Sequence, residues 1–268
     1  MAERSVAVVA GVEGLEASHG PLFVVIGVFD GIHRGHQYLL ERLVAEARRR
    51  GAKSTVITFD SHPDEILVGA APPLVLDQQE RLRLLGEAGV DTVVVQHFDE
   101  ALRMTEYDEF IHRITSRAAL AGILMTPDAA FGHDRRGTPE TVAALGATDG
   151  FEVIVIPPFT IEGRSVRSSD IRSAIAAGDL RTAEELLGRP YAVAGRLESG
   201  EIRPPMPVAL PPVGAYRVIL QPISGVGAAS DRPMAESVEV ADDGRLRLVG
   251  GPALPARSLV RVAFAAKT

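Results

Sequence analysis

The chain has 268 residues, 46% hydrophobic and 24% charged, with a formal net charge of −7; this is the profile of a globular protein of one or two domains with a core that needs no cross-links. Cysteine is absent, which excludes a disulfide framework, a thiolate nucleophile, an iron–sulfur cluster and a cysteine zinc site. The acidic balance argues against wholesale coating of nucleic acid, and 5% aromatics without tryptophan argue against a base-stacking platform.

Residues 5–12 are apolar, but they follow Met-Ala-Glu-Arg and are too short for a secretory core, and no stretch nears the roughly 20 apolar residues of a membrane span. A soluble cytoplasmic protein is expected, without a membrane or nucleic-acid partner. Residues 22–29 (LFVVIGVF) read as a strand buried on both faces. Over 36–50 the period changes, and Leu39, Leu40, Leu43, Val44 and Ala47 form one helical stripe that ends in Arg48, Arg49, Arg50 and then Gly51. Residues 54–59 predict a second strand. Asp77 and Glu80 have capping-box spacing before a helix over 80–88. A third strand is expected at 91–96, a helix from Thr105 to about Ala121, a fourth strand at 122–126, a helix starting at Thr138-Pro139, and a fifth strand at 151–156. Short helices near 169–177 and 180–187 each end at a glycine. This alternation predicts a Rossmann-like, doubly wound parallel sheet with its ligands at the carboxyl ends of the strands. That places function in the loops 29–36, 59–64, 126–137 and 160–170. After Tyr191 helical periodicity stops and β runs follow, with Asp243-Gly244 as a hairpin signal, so a small antiparallel, barrel-like domain is expected.

The segment richest in chemistry is 27–37, GVFDGIHRGHQ. Gly27, Gly31 and Gly35 fall between a strand and a helix, where small residues let backbone approach a ligand and a helix start receives an anion. His33 and His36 on the same turn can donate hydrogen bonds to charge that builds as a phosphoanhydride breaks. A random histidine pair in a polar turn would simply be solvated; the glycine spacing and the strand–helix context reverse that expectation here. A metal site is the weaker alternative, because no third histidine or cysteine lies nearby and HExxH is absent, so no metal ligand among the side chains is assigned. Gly51-Ala52-Lys53-Ser54-Thr55 precedes a strand and lacks the full Walker A spacing, and there is no G-x-S-x-G elbow.

The HxGH turn (His33-Arg34-Gly35-His36) resembles the nucleotidyltransferase superfamily, and the longer string resembles the bacterial bifunctional riboflavin kinase/FAD synthetases. Further stretches match in order: Phe59-Asp60-Ser61-His62-Pro63 resembles that family's FDPHP, Phe131-Gly132 with Arg136-Gly137 its DFxFG…G loop, Arg167-Ser168-Ser169-Asp170-Ile171-Arg172 its SSTxIR, and Leu187-Gly188-Arg189-Pro190-Tyr191 its LLGRPY join. The resemblance covers residues 20–195. It implies FMN adenylyltransferase activity, in which ATP and FMN with Mg²⁺ give FAD and pyrophosphate. It implies catalytic roles for His33, His36 and Arg172. It implies nucleotide binding by Gly27, Phe29, Asp30, Gly31, Gly35, Asp128, Ser168 and Ser169, and flavin binding by Phe59, Asp60, His62, Pro63 and Phe131. The domains are expected at 1–188 (nucleotidyltransferase) and 189–268 (kinase-like).

Asp170 stands where the family has Thr, and Ala129 where it has an aromatic residue. Ala129, with Ser61 in place of the family's first Pro, keeps in play a related nucleotidyltransferase with another acceptor or nucleotide, and Asp170, with the eroded β region, a non-catalytic flavin- or nucleotide-binding homologue. In the β region Val213-Gly214-Ala215-Tyr216 resembles the family's GVYA strand, whereas Arg203-Pro204-Pro205-Met206-Pro207-Val208 replaces the kinase's GRxxGxPTAN segment. The riboflavin kinase activity is therefore expected to be absent.

Overall fold

A computed structural model describes residues 6–67, 69–223, 233–250 and 258–265. By packing, the chain divides into two compact units, residues 1–72 with 82–165 and residues 73–81 with 166–268. Among the described residues no helix is long and apolar enough to cross a membrane.

The first unit is built on β1 (Ala7–Ala10), β2 (Leu22–Ile26), α1 (Arg34–Arg49), β3 (Lys53–Phe59) and α2 (Asp64–Leu67). The helix α3 (Gln78–Glu87) crosses the division between the units at residues 81 and 82. Then come β4 (Thr92–Gln96), α4 (Glu100–Arg103), α5 (Tyr107–Thr115), β5 (Leu120–Met125), α6 (Pro139–Asp149), β6 (Glu152–Val155) and the small hairpin β7 (Thr160–Ile161) with β8 (Arg164–Ser165). Six strands form one sheet in the order β1-β4-β3-β2-β5-β6, and every neighbouring pair is parallel. The apolar run of β2 is explained by its place between β3 and β5, where Leu22, Phe23, Val24 and Val25 are all buried. From β2 the chain steps to β3 and β4 on one side, then returns to β5 on the other. The loops at the carboxyl ends of β2 and β5 therefore diverge, which opens a crevice at that point. One apolar cluster joins Val24, Ile57 and Val94 of the sheet to Phe110 and Ile114 of α5.

The Rossmann-like class expected from the sequence is present, with instructive differences at its edges. β1 was not anticipated; it is a four-residue edge strand on β4, too short and too exposed at Val8 to show a period. β2 stops at Ile26 because the next residues leave the ladder for a turn. The helix expected from Thr105 to about Ala121 is shorter: α5 starts after Glu106 and ends at Thr115, and Leu120 and Ala121 belong to β5, while the Thr105 hydroxyl bonds to the Ala101 carbonyl and closes α4, the turn before it.

The second unit contains α7 (Ser168–Ala176) and α8 (Leu180–Leu187), followed by β9 (Ala192–Glu198), β10 (Glu201–Arg203), β11 (Gly214–Pro222), β12 (Met234–Val240), β13 (Leu246–Leu248) and β14 (Leu259–Phe264). The six strands close into a barrel in the order β10-β13-β12-β11-β14-β9, antiparallel throughout. The expected Asp243-Gly244 hairpin joins β12 to β13, with Gly244 at φ 76°. Alternation along β11 buries Val218 and Leu220, and Val238, Leu246, Val260 and Val262 on neighbouring barrel strands are buried as well. Residues 73–81 belong to this unit. The Leu74 N–H donates to the Pro207 carbonyl at 3.1 Å, the Ala209 N–H to the Leu74 carbonyl at 2.8 Å, and Arg261 pairs with buried Glu80 at 2.8 Å.

Candidate active site

The turn between β2 and α1 is held in a shape that few residues adopt. Phe29 (φ 53°) and Ile32 (φ 40°) lie in the left-handed region that normally favours glycine, and Gly31 stands between them at φ 92°. The surroundings pin it. The Gly27 N–H donates to Ile57, the Thr58 hydroxyl to the Val28 carbonyl, and the Gln37 amide to the Ile32 carbonyl. Phe29 and Asp30 are buried.

His33 is the N-cap of α1, and its Nδ1 accepts the His36 N–H at 3.2 Å. An imidazole thus does the work usually given to Ser, Asp or Asn. With Nδ1 accepting, a neutral His33 carries its proton on Nε2. The His36 ring stacks on His33 with centroids 3.7 Å apart, and Phe29 tilts against His36 at 5.0 Å. Arg34, between the histidines, lies over the Phe159 ring at 5.3 Å.

At the carboxyl ends of β2, β3, β4 and β5 lies a cavity of about 440 Å³, within the range of small-molecule sites. It shares Gly27 and Val28 with the turn. Phe59, Phe98, Phe110 and Phe131 supply an aromatic lining, and His62, Arg103, Thr105, His133 and Arg135 supply donors. Phe59 and Phe98 meet edge to face at 5.3 Å, as do Phe110 and Phe131 at 6.3 Å. The His62 Nδ1 accepts the Asp64 N–H at 3.2 Å, so its donor is Nε2. One wall is the loop 131–137, closed by the Phe131–Gly137 bridge and fastened to α5's approach by the His133 N–H on the Thr105 carbonyl at 2.8 Å.

Of the flavin-binding residues expected from sequence, Phe59, His62, Pro63 and Phe131 line this cavity; Asp60 does not. Its Oδ1 accepts the Phe98 N–H at 3.2 Å and its Oδ2 faces His97 Nδ1 at 2.6 Å. Asp128 is exposed and bonds to the Thr126 hydroxyl at 2.8 Å. Ser168 and Ser169 open α7, with Asp170 in the same turn and Arg172 one turn on, all within the second unit. Phe98, Leu102, Arg103 and Thr105 were missed. The loop after the third strand was passed over, although the rule that ligands gather at strand ends applied to it equally.

Burial draws the Asp60 carboxyl upward, but the hydrogen bonds from His97 and the Phe98 N–H outweigh it, and the net shift is below the ordinary value of 3.8. The Asp60 hydrogen bond lifts His97 above 6.5. The raised His97 gives stability that is present below its unfolded value and lost as pH rises through the folded one. The depressed Asp60 gives stability that is present above its unfolded value and lost as pH falls. The pair therefore contributes between about pH 4 and 6.5 and fades on either side. In an NMR titration the His97 ring should have its midpoint above 6.5 in the wild type and return toward 6.5 in Asp60→Ala; a midpoint unchanged by that substitution contradicts the pairing.

A family model described as FAD synthetase matches residues 15–170. The chain is 34% identical over 194 residues to a bifunctional riboflavin kinase/FMN adenylyltransferase of Pseudomonas fluorescens, covering 72% of this chain and 62% of that protein. It is 33% identical over 180 residues to the protein of the same description from Escherichia coli K12, covering 66% of this chain and 58% of the relative. The chain thus spans about three fifths of the length of the curated relatives it matches. A crystal structure of a macrolide-efflux protein from Streptococcus pneumoniae shares the fold, with a TM-score of 0.81 at 23% identity over 98% of this chain and 91% of that one.

Proposed function

Because the chain belongs to the FAD synthetase family, we propose that it is an FMN adenylyltransferase that moves AMP from MgATP to the phosphate of FMN, giving FAD and pyrophosphate. The observation that carries this reading is that the turn bearing His33 and His36 and the aromatic cavity share Gly27 and Val28. A phosphate presented from the cavity then meets a triphosphate held on the turn. An FMN phosphate oxygen attacks the α-phosphorus, the bond from that phosphorus to the β-phosphate bridge breaks, and pyrophosphate leaves with the electron pair. A phosphate nucleophile is already ionised near neutral pH, so no general base and no covalent enzyme intermediate are needed. The residues position and stabilise charge. His33 Nε2–H, His36 and the Arg34 and Gly35 N–H groups at the start of α1 serve the ATP phosphates. For Ser168, Ser169 and Arg172, on α7 of the second unit, the role toward the leaving pyrophosphate is what the resemblance implies. Asp170 occupies the first turn of α7, where a carboxylate suits the helix dipole. Among the described residues no cluster of three His, Asp or Glu could hold a metal ion. In this reading Mg²⁺ enters on the ATP phosphates, where it offsets their charge.

Ala129 gives less support to a different acceptor than its sequence suggested. It packs on the core cluster of Ile111, Ile123, Met125, Val142 and Phe151, while its neighbour Ala130 lines the cavity. The lost ring is a change in the packed layer behind the wall. In this reading the nucleotidyltransferase domain runs over residues 1–188, past the packing division after Ser165, and the protein works in the cytoplasm on free small molecules, without nucleic acid or membrane. Chromatography of a mixture with MgATP and FMN should show FAD; MgATP bound with no FAD formed would favour the non-catalytic alternative.

Residues 189–268 are read as a kinase-like barrel without riboflavin kinase activity. The segment that replaces the kinase's nucleotide loop is tied down by the Leu74 backbone bonds and by the Tyr191 hydroxyl on the Ala209 carbonyl. Incubation with riboflavin and MgATP should yield no FMN, and FMN appearing at a rate proportional to enzyme would overturn this.

A further inference from the structure

The carboxylate that follows β3 spans the ends of two strands. The last register pair of β3 and β4 is Phe59 with Gln96. Beyond it the Asp60 N–H still donates to the Gln96 carbonyl at 3.1 Å, and the Asp60 side chain then takes over from the ladder by accepting the Phe98 N–H. Phe59 and Phe98 flank this brace, and their rings meet at 84°. Both rings line the cavity; Asp60 does not.

We propose that Asp60 is a positioning residue of the acceptor site, one that sets the Phe59–Phe98 wall through the Phe98 backbone and does not touch the acceptor. This rests on the adenylyltransferase reading for the identity of the acceptor, though not for the brace itself. A planar ring gains from an aromatic wall only when the wall is held to within about half an ångström, which is what a backbone anchor one residue from each ring provides. What the brace requires of residue 60 is an acceptor oxygen. His97 is exposed and is not part of the lining.

The test compares Asp60→Asn, Asp60→Ala, Phe98→Ala and the Asp60→Ala/Phe98→Ala double variant in the full chain. Asp60→Ala should raise KM for FMN about tenfold and leave KM for ATP within about twofold. Asp60→Asn keeps the oxygen and should stay within about threefold of wild type. The double variant should be no worse for FMN than Phe98→Ala alone, since both changes remove the same wall. Hydrogen exchange at the Phe98 amide supplies a readout that needs no substrate: about tenfold faster in Asp60→Ala and near wild type in Asp60→Asn. Loss in Asp60→Asn equal to that in Asp60→Ala, additive effects in the double variant, or unchanged Phe98 exchange would each overturn the proposal. If wild type does not convert FMN while the exchange pattern holds, the adenylyltransferase reading fails and the brace stands.

Discussion

Replacing His33 with asparagine should lower turnover about 10²–10³-fold and leave stability within about 0.5 kcal/mol of wild type. The two effects separate because His33 has two roles. Its Nδ1 caps α1 by accepting the His36 N–H, and an asparagine oxygen accepts that bond equally well. In the adenylyltransferase reading its Nε2–H is the donor offered to the phosphates, and asparagine at the N-cap cannot reach as far. His33→Ala should lose both, with a further cost of about 1 kcal/mol in stability from the missing cap. Steady-state kinetics and urea unfolding on the two variants make the comparison. An Asp- or Asn-capped variant that keeps full turnover would mean that His33 only caps the helix and that the phosphates are held elsewhere.

Gly132→Ala should cost about 2–4 kcal/mol in urea unfolding. Gly132 has φ 76°, a conformation costly for any residue with a Cβ. The added carbon would also lie 2.6 Å from the Tyr107 nitrogen and 2.7 Å from its Cα, which are backbone atoms of α5's first residue and cannot swing aside. The loop and the helix would have to part. Phe131 and His133 flank Gly132 in the cavity wall, so KM for FMN should rise together with the loss of stability. A change of under about 1 kcal/mol would show that the loop is not seated on α5 as described.

The central layers were legible because burial on both faces favours unbroken apolar runs: those of β2 through β5 announce themselves, and the helix caps at Thr138-Pro139 and Gly188 fall where expected. The barrel was legible from the loss of helical period and from Asp243-Gly244. The pieces that escaped have little local signal. β1 has four residues and one buried side chain, and α2 and α4 are single turns. Residues 73–81 read as a connection and a helix start, and only long-range bonds to residues 207–209 and to Arg261 show which unit they join.

The site shows the same division. Motif residues on one turn, such as His33 and His36, meet as their spacing implies. A carboxylate in a motif carries no sign of whether it faces a ligand or a backbone N–H, and Asp60 does the latter. Phe98 and Arg103 lie in a stretch after β4 whose residues match no motif, and only the fold places them beside Phe59 and Phe131.

The most direct test of the account is pyrophosphate release by the purified full chain with MgATP, measured with and without FMN and with MgCTP in parallel. The account predicts release that requires both ATP and FMN, with FAD formed in equal amount. Release independent of FMN, or none at saturating ATP and FMN from protein that binds both, would contradict it.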